Sequence, residues 1–322
     1  MTREHPTEVA MSATCDVTLS ITNTNNRELL RRCLETVVQT VKQVRYEVIV
    51  VDNASDDGSA DMVGEAFPQV KLIRNATRLG YGASHNRAIE QARGRYVLIL
   101  NEDMEILEGA VDTMVREADA TPDLGALGCR ILNPDRTLQH SCFNFPTLTQ
   151  ELFEAIFPYT LIFPNSRIRS RMFWWRHDEP RDVDIVLGCC MLVPRAVIDR
   201  IGAFDPTFFV YSEEHDWCRR MKNAGLSVKF IPSAEMIHYG GQTSKRMSLH
   251  MALVQLDSRT KFFQKHHGSV QTLALRTIIA LGAAARTLGW GALMIRGKSK
   301  EIANAKFTEN WSSLKFVATG KK

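Results

Sequence analysis

The sequence predicts an α/β fold, a mostly parallel sheet flanked by helices, with a C-terminal helical extension. Three observations carry this. Short apolar runs alternate with stretches whose apolar residues recur at helical spacing. The runs end in polar turns, two of which carry carboxylates. The composition, 44% hydrophobic and 24% charged over 322 residues, is that of a chain able to bury one large core.

Residues 1–15 read as a flexible leader. They are polar and lack an apolar h-region, so no signal peptide is expected. A strand follows from Val17 to Ile21, ending in the polar loop Thr22 to Asn26. Leu29, Leu30, Leu34, Val37, Val38 and Val41 then mark a helix. Tyr46 to Val51 is a second strand, of the continuous apolar kind buried in parallel sheets. Its end, Asp52 to Ser59, is a loop rich in N-cap residues for the next helix. Strand Val70 to Ile73, helix Tyr81 to Ala92, strand Arg95 to Leu100 and helix Gly109 to Ala118 continue the alternation.

Residues 133–182 are less regular and hold an aromatic and basic stretch from Arg167 to Arg176. A strand is expected from Asp184 to Val193. After it come a short helix, the dense segment Phe204 to Asp216, a helix through Arg219 and Met221, and a strand from Val228 to Ile231. The seven cysteines fit no zinc spacing and read as free thiols of a reducing compartment. A net charge of +4 gives no reason to expect nucleic acid as a partner, but suits an anionic membrane surface.

In a parallel sheet, ligands bind beyond the carboxyl ends of the strands. Here those ends are Thr22-Asn23, Asp52-Asn53 and Asn101-Glu102-Asp103. Asp103 has the chemistry to hold a hard divalent cation whose shell substrate phosphates complete; a solvated acidic loop has the same composition. Asp52 could accept a hydrogen bond from the ring N–H of uracil or thymine, or serve only as a turn residue. Glu213, Glu214 and Asp216 crowd three acids into four residues. One of them could hold a raised pKa and act as a base, or all three could simply favour a helix start. His238 could ligate a metal, although a lone histidine is more often structural.

Taken in order, these segments resemble glycosyltransferase family 2, the inverting enzymes with a GT-A fold. The matching text is VTLSITNTNNRELLRRCLETV, VIVVDNASDDGS, RNATRLGYGASHNRAIEQARGRYVLILNEDMEI, VLGCCMLVPRAVIDRIGAFDPTFFVYSEEHDWCRRMKNAG and IPSAEMIHYGGQTS, across residues 16–245. The YSEEHDWC and HYGGQTS segments look most like bacterial rhamnosyltransferases of cell-wall and O-antigen assembly.

The resemblance implies a nucleotide-sugar donor (a dTDP- or UDP-sugar) and a cofactor, Mg²⁺ or Mn²⁺. Thr22, Asn23, Asp52, Asn53 and Gly80 would line the donor site. Asn101 and Asp103 would stand at the first and last positions of the DxD motif. His238 would complete the metal site or contact the diphosphate, Glu214 would be the base with Glu213 and Asp216 beside it, and Gly188 would leave room near the acceptor. The chain departs from the family at Arg78, where Asn is common, at Asn101, where Asp is usual, and at Glu214, where Asp is commoner.

Residues 271–296 are apolar but interrupted by Arg276 and Arg286, so no uncharged run reaches a membrane span. The segment is expected to lie in a bilayer interface with its arginines snorkelling, Trp290 at headgroup depth and the lysines after it meeting anionic lipid. A docked terminal helix or a homo-oligomer interface fits the same residues. The domains expected are therefore the leader 1–15, a glycosyltransferase domain 16–265 and a helical extension 266–322. The expected function is transfer of L-rhamnose from dTDP-rhamnose to a glycan or polyprenyl-diphosphate-linked acceptor, at the cytoplasmic face of the membrane. Galactofuranosyl, glucosyl or N-acetylglucosaminyl transfer are alternatives, as is a non-catalytic nucleotide-sugar-binding protein. No Gly-rich N-terminal loop ending in Lys or Arg points to a nucleotidyltransferase.

Overall fold

The structure is a computed structural model that describes residues 15–156, 175–240, 249–295 and 300–319. Its first half is a β-α alternation: β1 Val17–Asn23, α1 Arg27–Thr40, β2 Tyr46–Asp52, α2 Ser59–Ala66, β3 Lys71–Arg74, α3 Tyr81–Ile89, β4 Tyr96–Asn101, β5 Met104–Ile106, α4 Ala110–Asp119 and β6 Leu124–Leu132. Then come β7 Leu138–Gln139, β8 Cys142–Phe143, α5 Leu148–Ile156, β9 Arg181–Asp182, β10 Ile185–Val186, β11 Cys190–Pro194, α6 Arg195–Ile201, α7 Glu213–Asn223 and β12 Ser227–His238. Helices α8 Leu249–His266, α9 Gly268–Ile295 and α10 Lys300–Thr319 close the chain.

The main sheet has the order β3-β2-β1-β4-β11-β6-β12-β5. Strands β1 to β4 pair in parallel, β11 runs antiparallel between β4 and β6, and β6 and β12 are parallel again. Alternate residues of β4 and β11 enter different cores, as the two-residue pleat requires. Leu98, Leu100, Cys190 and Leu192 pack with α1, α2 and α4, while Val97, Ile99, Met191 and Val193 pack with α6, α7 and α8.

Four expectations change. Strand β6, in the sheet interior, was not foreseen; its glycines Gly125 and Gly128 blur any periodicity, and Gly128 is needed because a Cβ there would lie 2.7 Å from Val186 Cγ1. The strand expected from Asp184 to Val193 is two strands in different sheets, broken at Leu187-Gly188-Cys189. The strand at Val228 continues to His238 through a register shift between Ile231 and Glu235, beside Pro232. Residues 148–156 form a helix within the stretch read as irregular.

The C-terminal helices pack on one another and on α5. Leu253, Phe316 and Val317 form a small core of their own. Helix α9 departs from the snorkelling expectation: its arginines turn inward. Arg276 donates to the Val317 carbonyl, and Arg286 donates to Asn310 Oδ1 and the Ala155 carbonyl. The stretch Gly268–Gly291, of mean hydropathy 1.3, is long and apolar enough by length and composition to cross a membrane.

Candidate active site

Parallel register brings the polar strand ends together. Asn23 lies opposite Asp52, and Thr22 opposite Asn101. Asn23 Nδ2 donates to Asp52 Oδ1 at 3.3 Å and to Ser55 Oγ at 3.1 Å, while the Ser55 N–H donates to Asp52 Oδ2 at 3.1 Å. Asn23 Oδ1 is buried with no partner, an unfilled acceptor beside Asp52. Beneath them His85 lies 2.8 Å from Ser20 Oγ and 3.3 Å from Thr22 Oγ1. Burial pushes His85 down to about 3, so it is a neutral bridge that sets the Thr22 hydroxyl.

Asn53 works one step back. Its Oδ1 accepts from the Leu79 N–H at 2.8 Å and its Nδ2 donates to the Leu79 carbonyl at 3.0 Å, fixing the turn into Gly80. A Cβ on Gly80 would run into the Phe209 carbonyl oxygen and sit 2.8 Å from the Phe209 Cα. Arg78 is exposed.

At the end of β4, Asn101 Nδ2 lies 3.3 Å from His238 Nε2, and Asp103 Oδ1 lies 3.1 Å from the same nitrogen. Gln139 Oε1 is 2.7 Å from His238 Nδ1. With its proton on Nδ1 toward that amide oxygen, the imidazole would present Nε2 as a lone pair. Asp103 Oδ1 is buried without a hydrogen-bond donor. Two acceptors facing each other at this spacing suit a divalent cation: neighbouring ligands of an octahedral ion with bonds of about 2.1 Å stand about 3 Å apart. Among the described residues no group of three or more His, Cys, Asp or Glu side chains could hold a metal, so the remaining ligands would have to come from substrate. Glu102, between Asn101 and Asp103, accepts from Asn26 Nδ2 at 3.1 Å, and burial followed by the Asp103 charge pushes it up to about 7.

The acidic cluster opens α7. Two successive residues before it, Tyr211 and Ser212, have φ of 69° and 66°, a left-handed conformation that costs non-glycine residues about 1–3 kcal/mol each. Helix α8 holds that loop: Ser258 Oγ donates to the Val210 carbonyl and Lys261 Nζ to that of Thr207. Glu213 Oε2 and Glu214 Oε2 are buried without partners. Burial, and then the Glu214 charge, raise Glu213 well above its usual value. Asp216 is used differently. Its buried carboxylate accepts from Arg220 Nε at 2.9 Å, Lys265 Nζ at 2.7 Å and His266 Nε2 at 2.7 Å, so it reaches Glu214 only through the helix they share.

Gly188 joins the two regions. A Cβ there would stand 3.8 Å from Glu214 Cβ and 3.4 Å from Tyr81 Cε1, and the Tyr81 hydroxyl lies 2.9 Å from both the Gly188 carbonyl oxygen and Asn101 Oδ1. One series of contacts thus runs from Gly188 through Tyr81 and Asn101 to His238 and Asp103, and Glu214 lies beside its Gly188 end, its Cβ 3.8 Å from where a Gly188 Cβ would stand. Sequence reasoning had not singled out Tyr81, His85, Glu102 or Gln139. Tyr81 and Glu102 sit inside the quoted motifs, where spacing could have flagged them; Gln139 has no local signal. Of the aromatic and basic stretch, Trp175 stacks on His177 with ring centroids 4.1 Å apart, and residues 167–174 lie outside the described residues. So do Gln242, Thr243 and Ser244.

Known proteins share this sequence pattern and fold. The Glycosyl transferase family 2 model matches residues 18–202. An N-acetylglucosaminyl-diphospho-decaprenol L-rhamnosyltransferase of Mycobacterium tuberculosis (strain ATCC 25618 / H37Rv) is 28% identical over 217 residues, 62% of this chain and 68% of that protein. Rhamnosyltransferase WbbL of Escherichia coli (strain K12) is 22% identical over 231 residues, 69% of this chain and 83% of that protein. A mannosyltransferase of Pyrobaculum calidifontis, solved with GDP-Man and Mn²⁺, superposes with a TM-score of 0.55 at 17% identity over 96% of this chain and 88% of that one.

Proposed function

The chain belongs to glycosyltransferase family 2 and is rhamnosyltransferase-like, and from that premise we propose that it transfers L-rhamnose from dTDP-rhamnose, with inversion, to a hydroxyl of a lipid-linked glycan. The observation that carries the reading is the series of contacts from Gly188 through Tyr81 and Asn101 to His238 and Asp103, with Glu214 beside Gly188 at one end. A donor spanning from the Asn23–Asp52 pair to Asp103 would place its anomeric carbon between the acidic pair and its diphosphate. The rhamnosyl group and the polyprenyl-diphosphate carrier are suggested by the mycobacterial relative, an N-acetylglucosaminyl-diphospho-decaprenol L-rhamnosyltransferase.

In this mechanism Asn23 Oδ1 and Asp52 accept from the N–H of the base. Glu214 takes the proton of the acceptor hydroxyl as its oxygen bonds to the anomeric carbon. The bond from that carbon to the diphosphate oxygen breaks, and the diphosphate leaves with the electron pair. Asp103 and His238 would hold Mg²⁺ or Mn²⁺, which supplies a Lewis acid that neutralises charge on the leaving diphosphate.

Glu214→Gln tests the reading, because it keeps the shape and removes the base. The expected result is transfer lowered about 10²–10⁴-fold with donor binding retained. A variant that turns over normally defeats the assignment. A thermal-shift panel of dTDP-, UDP- and GDP-sugars tests the donor, with the largest stabilisation expected from dTDP-rhamnose.

We further propose that the protein is peripheral at the cytoplasmic face of the membrane, with 16–265 as the catalytic domain and 266–322 as the extension that docks it. The support is α9. The side chains it exposes between Gly268 and Gly289 are uncharged, because both arginines of that stretch are spent on inward contacts.

A further inference from the structure

Tyr81 opens α3 at a crowded junction. Its N–H donates to the Phe209 carbonyl oxygen at 2.7 Å, which ties the helix start to the loop leading into Glu213. Its ring meets the His85 ring edge-on, with centroids 4.5 Å apart. Its hydroxyl has one proton and lies 2.9 Å from two oxygens that can only accept, the Asn101 side-chain carbonyl and the Gly188 main-chain carbonyl. Two such acceptors repel unless a donor stands between them. The Asn101 amide has a fixed sense: its oxygen faces the phenol and its nitrogen faces His238 Nε2.

We infer that Tyr81 is a positioning residue for the transfer proposed above, its phenol O–H holding the Asn101 amide and the Gly188 carbonyl at a fixed separation and so setting Glu214 against the Asp103–His238 pair. The inference rests on that reading of the site. It adds that the base end and the phosphate end are spaced by one hydroxyl. Burial first, and then the Cys189, Glu213 and Glu214 side chains, raise the Tyr81 pKa well above its usual value, so the phenol keeps the proton that the bridge needs.

Tyr81→Phe removes the hydroxyl and keeps the ring. In the full-length chain kcat should fall about 10–100-fold, the range expected when reacting groups lose their alignment. Calorimetric titration with dTDP and Mn²⁺ should give unchanged stoichiometry, which shows that the variant is wholly folded, with affinity weakened about 3–10-fold. The decisive measurement is a double-mutant cycle with Asn101→Ala. Because Tyr81 acts through Asn101, the double variant should lose no more than the worse single variant, in kcat and in dTDP–Mn²⁺ affinity alike. Losses that multiply, or a Tyr81→Phe protein with wild-type kcat and affinity, overturn the inference. An active Glu214→Gln beside a non-additive pair defeats the base assignment alone, and an inactive Glu214→Gln beside an additive pair defeats Tyr81 alone. If no sugar is transferred, the cycle read on dTDP–Mn²⁺ affinity still decides.

Discussion

A methyl group at position 80 measures how tightly the donor loop is built. Gly80 is needed because the backbone of Phe209 passes against it, and a main-chain carbonyl cannot rotate away as a side chain can. Gly80→Ala must push apart the start of α3 and the Phe209 loop, and with them the Tyr81 bridge. Overpacking of this kind costs about 1–3 kcal/mol. Denaturant unfolding should show that loss, with a fall in transfer rate larger than the stability change explains. An alanine variant as stable and active as the parent would mean the approach is looser than drawn. The same residues show what the sequence could reveal. Asp52, Asp103 and His238 stood out because each is a charged or ligating residue next to an apolar run, and Glu214 because three acids crowd into four residues there. Tyr81 did not, since an aromatic after a glycine reads as core; its importance comes from Gly188, 107 residues away.

Among elements, α7 and α8 share the most consequential contact. The lone buried carboxylate of Asp216 meets Arg220 on its own helix and both Lys265 and His266 on α8, bracing the strained turn at Tyr211 and Ser212. Those partners lower Asp216 to about 2 against a burial effect that opposes them. A carboxyl depressed in the folded state stabilises fully above its unfolded value near 4, and that stability is lost as pH falls toward 2. The shift corresponds to about 2 kcal/mol. Asp216→Asn should therefore lower stability at pH 7 and flatten the acid limb of the stability curve between pH 4 and 2. An unchanged acid limb would show that Asp216 is not the coupling group. The β-α alternation of the first half was legible chiefly because β2 and β4 are compact apolar runs. Strand β6 escaped because its glycines serve close packing, Gly128 against Val186 and Gly125 against Met221 and Leu226, and β11 was merged with β10 because both are apolar on either side of Gly188. Burial in two different sheets is a tertiary property that composition does not carry.

On the scale of the whole molecule, the central sheet has both faces covered, whereas among the described residues α9 is covered on one side only. Val270, Leu273, Leu281 and Leu288 are 83%, 66%, 67% and 75% exposed, at spacings that keep them on one stripe about 27 Å long. Turning Arg276 and Arg286 inward stabilises the packing on α10 and α5 and at the same time clears the outer stripe of charge. A helix packed on one side and apolar on the other suits a bilayer surface better than a span, which would have to be apolar all round. Each leucine on the stripe would gain about 1.5–3 kcal/mol by entering the acyl boundary, enough for several to hold a protein of this size to vesicles. Leu273→Glu with Leu281→Glu should abolish co-flotation with phosphatidylglycerol–phosphatidylcholine vesicles while leaving donor binding intact, because neither residue touches the central sheet. Retained flotation would remove α9 as the docking surface. A parent chain that is dimeric in vesicle-free solution, and made monomeric by the same pair, would assign the stripe to a second copy instead.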